Sequence, residues 1–226
     1  MMLRTILLLG LAAAPQPQAS ARGPLALGTA VVLDRMAVIV DKHVIKSSDI
    51  YRDLGVTEFL NRQQPDFGAE ARHKAADRLI EQSIIRDEIA SGGYRWASSA
   101  DAQSLLDSIR KDRFGDSSDQ LQAALSRYGL SEDELRAQLL WQLTVLRFID
   151  QRFRNGVLVT DEDIRAYYDQ HLADLKREYP QDSSYKAIEP KIRASLEGER
   201  INQNFVQSMD QARKRANVRY LQGAFE

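Results

Sequence analysis

Cysteine is absent from this sequence, and histidine occurs only three times. The absence of cysteine excludes disulfide bonds, thiol catalysis, thiolate metal sites and lipidation of an N-terminal cysteine. Since His43, His73 and His171 lie far apart and show no H-x-x-x-H spacing, we predict no metal site. The sequence also contains no G-x-S-x-G, P-loop or G-x-G-x-x-G motif. We therefore predict no catalytic residues and no cofactor.

An excess of either charge is also missing, because 31 Lys and Arg residues balance 32 Asp and Glu residues. The formal net charge of −1 gives no reason to expect nucleic acid as a partner. The acidic residues 161–163 and the basic residues 213–215 lie at the beginning and at the end of predicted helices. The helix dipole favours these charges there, so we interpret neither cluster as a binding or catalytic site.

The longest apolar run covers residues 6–14, too few residues to span a membrane. It follows the basic Arg4 and precedes a small-x-small pattern at residues 19–21. We predict that residues 1–21 are a secretory signal peptide, that cleavage follows Ala21, and that the mature protein is periplasmic without stable membrane insertion. An uncleaved anchor is the alternative, and residues 28–30 are a weaker second cleavage position.

Residues 131–155 show the longest helical pattern in the sequence. Ser131 and Glu134 form a capping-box pattern, and Gly156 is the expected stop. One face of this helix is apolar, at Leu135, Leu139, Leu143, Leu146, Ile149 and Phe153. A second apolar patch consists of Trp141, Val145 and Phe148. The pattern predicts a buried central helix. Alternatively, the second patch lines a groove for an apolar client segment.

Strand patterns stand near both ends of the remaining chain. Residues 36–45 predict a β-hairpin with its turn at residues 41–43, followed by a helix that Ser48 caps and Gly55 can interrupt. Residues 217–221 predict a closing strand that pairs with this hairpin. Further helices are predicted at residues 69–90, 99–113, 119–128, 160–168 and 184–216, with a loop or frayed helix end at 174–184.

Short motifs in this order carry a resemblance to a known family. They are residues 34–50, 113–115 (RFG), 128–131 (YGLS) and 159–168, which begins with VTDEDI, and finally 188–221. Together they resemble the chaperone domain of the SurA-type periplasmic chaperones and of the related PpiD- and PrsA-type foldases. The resemblance implies that, in such relatives, the segments corresponding to residues 159–168 and 188–221 flank a parvulin-type prolyl isomerase module.

One departure from the family pattern limits what the resemblance implies. Tyr168 and Ile188 are separated by only about 20 residues, whereas a parvulin module takes roughly 90 to 100. The resemblance therefore implies the chaperone domain alone, without isomerase activity. We predict a mainly α-helical domain at residues 34–226 after a lead-in at 22–33, with a small β element joining its two ends. Its parts are residues 34–168, a linker at 169–187 in place of the isomerase module, and a returning helix and strand at 188–221.

The resemblance implies a function without catalysis. We predict an ATP-independent holdase whose apolar cradle binds unfolded or outer-membrane β-barrel proteins. The alternative is an exported scaffold or assembly factor, including a homodimer, that binds one dedicated folded partner. The candidate peptide-binding residues are Trp96, Phe114, Tyr128, Trp141, Val145, Phe148, Tyr167 and Tyr168.

Overall fold

A computed structural model describes residues 34–221 together with residues 223 and 225. The predicted signal peptide and lead-in lie outside the described residues. Over the described part, the predicted mainly α fold is confirmed, with seven α-helices and one three-stranded sheet. The elements are β1 (Met36–Val40), β2 (His43–Lys46), α1 (Ser47–Asn61), α2 (Ala69–Gly92), α3 (Ser99–Phe114), α4 (Ser118–Ser126), α5 (Glu132–Phe153), α6 (Asp161–Glu178), α7 (Tyr185–Arg215) and β3 (Val218–Tyr220).

The sheet joins the two ends of the described chain, as the strand patterns predicted. Its order is β2-β1-β3, and both neighbours run antiparallel to β1. Val38 pairs with Tyr220, and the Asn217 N–H donates to Asp41 Oδ1 at 2.9 Å. The hairpin turn is shorter than predicted, because His43 already belongs to β2 and Asp41 takes a positive φ of 50°.

Four apolar clusters hold the helices together. The first lies between the sheet, α1, α2 and the end of α7, and the second between α1, α3, α4 and the first half of α5. The third joins α6 to α7, and the fourth joins α2 to the second half of α5. The predicted central helix, α5, therefore contributes to two of the four clusters.

Several helix ends agree with the sequence signals. The Ser131 hydroxyl accepts the Glu134 N–H at 3.2 Å, while Glu134 accepts the Ser131 N–H at 2.9 Å, so the predicted capping box is confirmed. Thr160 and Asp163 form the same arrangement at the beginning of α6. These caps satisfy backbone N–H groups that have no partner within the first turn of a helix.

Other predicted helix ends differ in detail. The prediction that Ser48 caps α1 is wrong, because α1 begins at Ser47; Ser48 lies inside the first turn and its N–H donates to Asp34 Oδ1 at 3.1 Å. Helical structure stops at Gly156 as predicted, but α5 itself ends at Phe153 and a 3-10 turn covers Arg154–Gly156. Of the two alternatives for residues 174–184, the helix end applies as far as Glu178, and residues 179–184 connect α6 to α7.

Two predictions about packing are also wrong. Gly55 does not interrupt α1, which continues through it to Asn61. The missing side chain of Gly55 instead leaves room for the carbonyl of Tyr128. Leu146 is 63% exposed, although it falls on the apolar face of α5 with the buried Leu139. The second half of α5 packs on α2 through Phe148, and this orientation turns Leu146 toward solvent.

Acid is expected to weaken the start of α6 through one carboxylate. Asp163 accepts a hydrogen bond from the Thr160 N–H and forms an ion pair with Arg200, both at 2.9 Å, and these donors lower its pKa from 3.8 to about 2. A pKa below the unfolded value stabilises the fold above about pH 4 and loses that effect as the pH falls toward 2. Urea unfolding should show wild type exceeding Asp163→Asn in stability at pH 6, with the difference vanishing near pH 2. A difference that stays constant over this range would contradict the assignment.

Candidate peptide-binding surface

A cleft of about 560 Å³ opens where β2, α1, α2 and α5 meet. Trp141 of α5 lines it and is almost completely buried. The guanidinium of Arg86, on α2, lies 4.6 Å from the centre of the Trp141 ring. Ile45 and Leu79 add apolar surface to the lining. The cleft therefore combines an aromatic ring, aliphatic side chains and a cation in one concave surface.

The acidic side chains of this cleft already have partners. Arg52 donates to Glu134 at 2.8 Å and to Asp49 at 3.0 Å. Asp53 accepts from Arg78 Nε at 2.9 Å. Burial raises the pKa of Asp53, and the neighbouring Arg78 opposes that shift. Because Arg52 is shared by Asp49 and Glu134, two guanidinium groups pair with three carboxylates and leave one negative charge in excess. The charge of Arg86 in the same lining balances it.

Arg86 differs from these groups. Among the described residues it makes no ion pair within 4.0 Å, and its contact is the face of Trp141. Burial lowers its pKa, and the more distant Asp49 partly offsets that effect. A guanidinium remains charged at neutral pH even so. The cleft therefore presents one positive charge on an aromatic ring to whatever enters it.

An aromatic hollow of about 720 Å³ adjoins the cleft. We define it by Tyr51, Phe67 and Tyr128, and it shares Arg52 and Glu134 with the cleft lining. The rings of Tyr51 and Phe67 lie 5.7 Å apart, and the two side chains are 43% and 42% exposed. Large aromatic side chains that remain half exposed at neighbouring positions are typical of interaction surfaces.

The predicted binding residues on and near α5 fall into different environments. Trp141 lines the cleft, and Trp96 lies 5.9 Å from it, half exposed. Val145 is partly buried, and Phe148 is completely buried in the cluster between α2 and α5. In this conformation Phe148 supports the cleft from behind and presents no surface of its own.

The other predicted residues lie elsewhere. Tyr128 lines the aromatic hollow, whereas Phe114 is partly buried against the second cluster. Tyr167 and Tyr168 belong to the cluster between α6 and α7, where the Tyr168 hydroxyl donates to the Ser183 carbonyl at 3.0 Å. Trp141 therefore lines the cleft and Tyr128 lines the adjoining aromatic hollow, whereas the tyrosines of α6 belong to a separate cluster.

Sequence reasoning missed Tyr51, Phe67 and Arg86. Phe67 lies in a polar loop after Pro65, and a lone aromatic residue in such a loop indicates an exposed ring. Tyr51 falls outside the buried face formed by Ile50 and Leu54 on α1, which likewise indicates exposure. The position of Arg86 on Trp141 depends on how α2 packs against α5, and no local pattern indicates it.

Two kinds of feature are absent from the described residues. No cluster of three or more His, Cys, Asp or Glu side chains there has the arrangement of a metal site. Among the same residues, no helix has the length and the apolar character that crossing a bilayer requires. What the described residues do form is a mainly α-helical fold with an open, aromatic and charged cleft beside a small sheet.

Comparison with known proteins finds sequence similarity to three proteins named chaperone SurA. Chaperone SurA of Chromobacterium violaceum is 25% identical over 173 residues, covering 70% of this chain and 39% of the relative. Chaperone SurA of Pectobacterium atrosepticum is 28% identical over 138 residues, covering 59% and 31%. Chaperone SurA of Hahella chejuensis is 24% identical over 188 residues, covering 76% and 43%. No protein-family model matches the chain.

These similarities confirm the resemblance to SurA-type chaperones that the sequence motifs predicted. The chain is homologous to part of chaperone SurA. The matched region spans less than half of the length of each of these curated relatives.

Proposed function

We propose that this protein is a periplasmic, ATP-independent holdase that binds unfolded or outer-membrane β-barrel proteins. The observation that carries the proposal is the similarity to three proteins named chaperone SurA. The open cleft and the aromatic hollow support it, because both offer accessible apolar surface, and unfolded clients expose apolar side chains that can cover such surface. The proposal includes export by the predicted signal peptide at residues 1–21.

The domain organisation is part of the same proposal. Residues 34–226 form one chaperone domain, in which α7 and β3 return to the N-terminal sheet. The connection between α6 and α7 consists of residues 179–184, which leaves no space there for an inserted isomerase module. We therefore propose that the domain binds its clients without prolyl isomerase activity.

The aromatic hollow is one surface through which we expect clients to bind. Burying apolar surface contributes about 25 cal/mol per Å², and ordering the client opposes binding. A small hollow around Tyr51 and Phe67 therefore supports weak binding that tolerates many client sequences. Such binding delays aggregation without holding a client permanently.

An aggregation assay with the mature protein tests the proposal. A urea-unfolded outer-membrane β-barrel protein is diluted into buffer, and light scattering is followed with and without residues 22–226. We expect suppression at near-stoichiometric ratios, and we expect Phe67→Ser to need several times more protein for the same suppression. Leu158→Ser is the matched control, because Leu158 is more exposed (75%) and lies outside the hollow.

The possible results separate the two functions that the sequence allows. Suppression that Phe67→Ser weakens and Leu158→Ser leaves intact would support the holdase and its surface. No suppression by the wild-type protein would contradict the holdase and favour the dedicated-partner scaffold. Cis–trans isomerisation of a prolyl peptide above background would contradict the proposed absence of isomerase activity.

A further inference from the structure

The strand β2 is an edge of the sheet. The order β2-β1-β3 leaves the outer side of β2 without a neighbouring strand among the described residues. Val40 and His43 flank a two-residue turn, so they form a hydrogen-bonded pair of the antiparallel ladder. The next pair, Ile39 and Val44, is then a non-hydrogen-bonded pair. The N–H and C=O of Val44 therefore point away from β1 and toward the open edge.

This open edge forms one wall of the cleft. His43, Val44 and Ile45 of β2 line the cleft together with residues of α1, α2 and α5. Trp141 and Leu79 provide apolar surface in the same cleft. The cleft therefore places an unpaired backbone donor and acceptor beside surface that takes up apolar side chains.

Charge in the cleft favours one kind of occupant. The carboxylates of the lining are engaged by arginines: Asp49 and Glu134 by Arg52, Asp53 by Arg78, and Asp133 by Arg136. Arg86 presents its charge on the ring of Trp141 without a carboxylate within 4.0 Å among the described residues. A peptide segment with one acidic side chain next to apolar ones would place that carboxylate against Arg86 and its apolar side chains against Trp141 and Leu79.

We propose that the outer edge of β2 binds an extended segment of a client polypeptide as an added fourth strand. The inference rests on the proposed chaperone function and names the conformation in which that client is bound. Main-chain hydrogen bonds to Val44 would not depend on client sequence, while alternate side chains would enter the cleft toward Trp141. This mode suits an unfolded β-barrel protein, because its segments already favour the extended conformation.

Replacing Val44 by proline tests the added strand directly. Proline removes the outward N–H, and an edge strand tolerates proline where that N–H faces solvent. The probe is a fluorescent ten-residue peptide of alternating apolar and polar residues with one Glu, and its binding is followed by anisotropy. We expect Val44→Pro to weaken binding about fivefold to tenfold, the loss of one intermolecular hydrogen bond. The matched control Val44→Ala keeps the N–H and should bind within about twofold of wild type.

Methylation of the peptide supplies a second test that leaves the protein unchanged. Each backbone nitrogen of the probe is methylated in turn, which removes one donor at a time. In an added strand, only alternate residues direct their N–H toward β2. Methylation at every second position of the probe should therefore lower its affinity for the wild-type protein. A bound helix would instead be disrupted by methylation at most positions, and this pattern would overturn the inference.

The outcomes distinguish this inference from the chaperone proposal. Equal binding of the probe by wild type and Val44→Pro, with aggregation still suppressed, would overturn strand addition and leave the holdase intact. Loss of suppression by the wild-type protein would contradict both. If Val44→Pro fails to fold, as judged by its thermal unfolding curve, the methylation pattern decides alone. Probe binding that competes with dimerisation of the protein would identify a second copy of this chain as the occupant and overturn the client assignment.

Discussion

Replacing Phe59 by alanine is expected to lower the free energy of unfolding by about 3 to 5 kcal/mol. Phe59 of α1 is 1% exposed and lies in the second cluster. Its ring contacts Phe114 at 6.3 Å and Tyr128 at 5.6 Å, and the Arg113 guanidinium lies 4.6 Å above it. The substitution would remove these contacts and leave a cavity that rigid neighbouring helices cannot close completely. Urea denaturation followed by far-UV circular dichroism measures the difference.

Phe67→Ala is the matched control, because it makes the same chemical change on the surface. Phe67 is 42% exposed and contacts Tyr51 at the edge of the aromatic hollow. Since Phe67 is only partly covered and its loss leaves no closed cavity, we expect a smaller change in stability, of about 1 to 2 kcal/mol. Similar destabilisation by the two substitutions would show that the hollow is part of the core and would contradict its role as a binding surface.

Gly55→Ala is expected to destabilise the protein by about 1 to 3 kcal/mol, although alanine favours helices. A Cβ at Gly55 would lie 2.6 Å from the backbone oxygen of Tyr128. Because that oxygen belongs to the main chain before α5, it cannot rotate away as a side chain would. The helices α1 and α5 would have to separate, which would also disturb the ion pair between Arg52 and Glu134. Thermal unfolding of the variant measures the cost.

Gly198→Ala makes the identical change in open space. Gly198 lies within α7, and a Cβ added there would meet no described atom within 4 Å. We expect this variant to be more stable than wild type by about 0.5 to 1 kcal/mol, because alanine reduces the entropy lost on forming the helix. A destabilised Gly198→Ala would contradict this reasoning, and a stabilised Gly55→Ala would show that α1 and α5 adjust easily.

Local signals and apolar periodicity predicted most of the fold. The predicted capping box at Ser131 depends on residues three positions apart, so the sequence contains all of the information that it needs. The pairing of the closing strand with the N-terminal hairpin was also predicted, because strand patterns stand near both ends of the described chain. The sequence does not decide the helix boundary at Glu178, since polar residues there allow both a loop and an exposed helical turn.

The candidate surface was harder to predict than the fold. Trp141 and Phe148 have similar sequence surroundings on α5 and both are buried, yet only Trp141 lies at the wall of the cleft. Leu146 looked like a core residue and is exposed. Exposure depends on the direction in which α5 packs against α2, and that direction follows from contacts between distant segments. The exposure of Tyr51 and Phe67 could be read from the sequence, but their contact with each other could not, because it joins α1 to the loop before α2.

The pairing of β3 with β1 also sets an order of events during biosynthesis. The contact between Asp41 and Asn217 spans 176 positions, and β1 is the middle strand of the sheet. In a chain that is made or exported from its N-terminus, all residues of α1 to α7 therefore emerge before β1 can gain its second neighbour. Until then this chaperone-like chain itself carries an uncovered strand, and closing so long a loop makes the last step slow compared with helix formation.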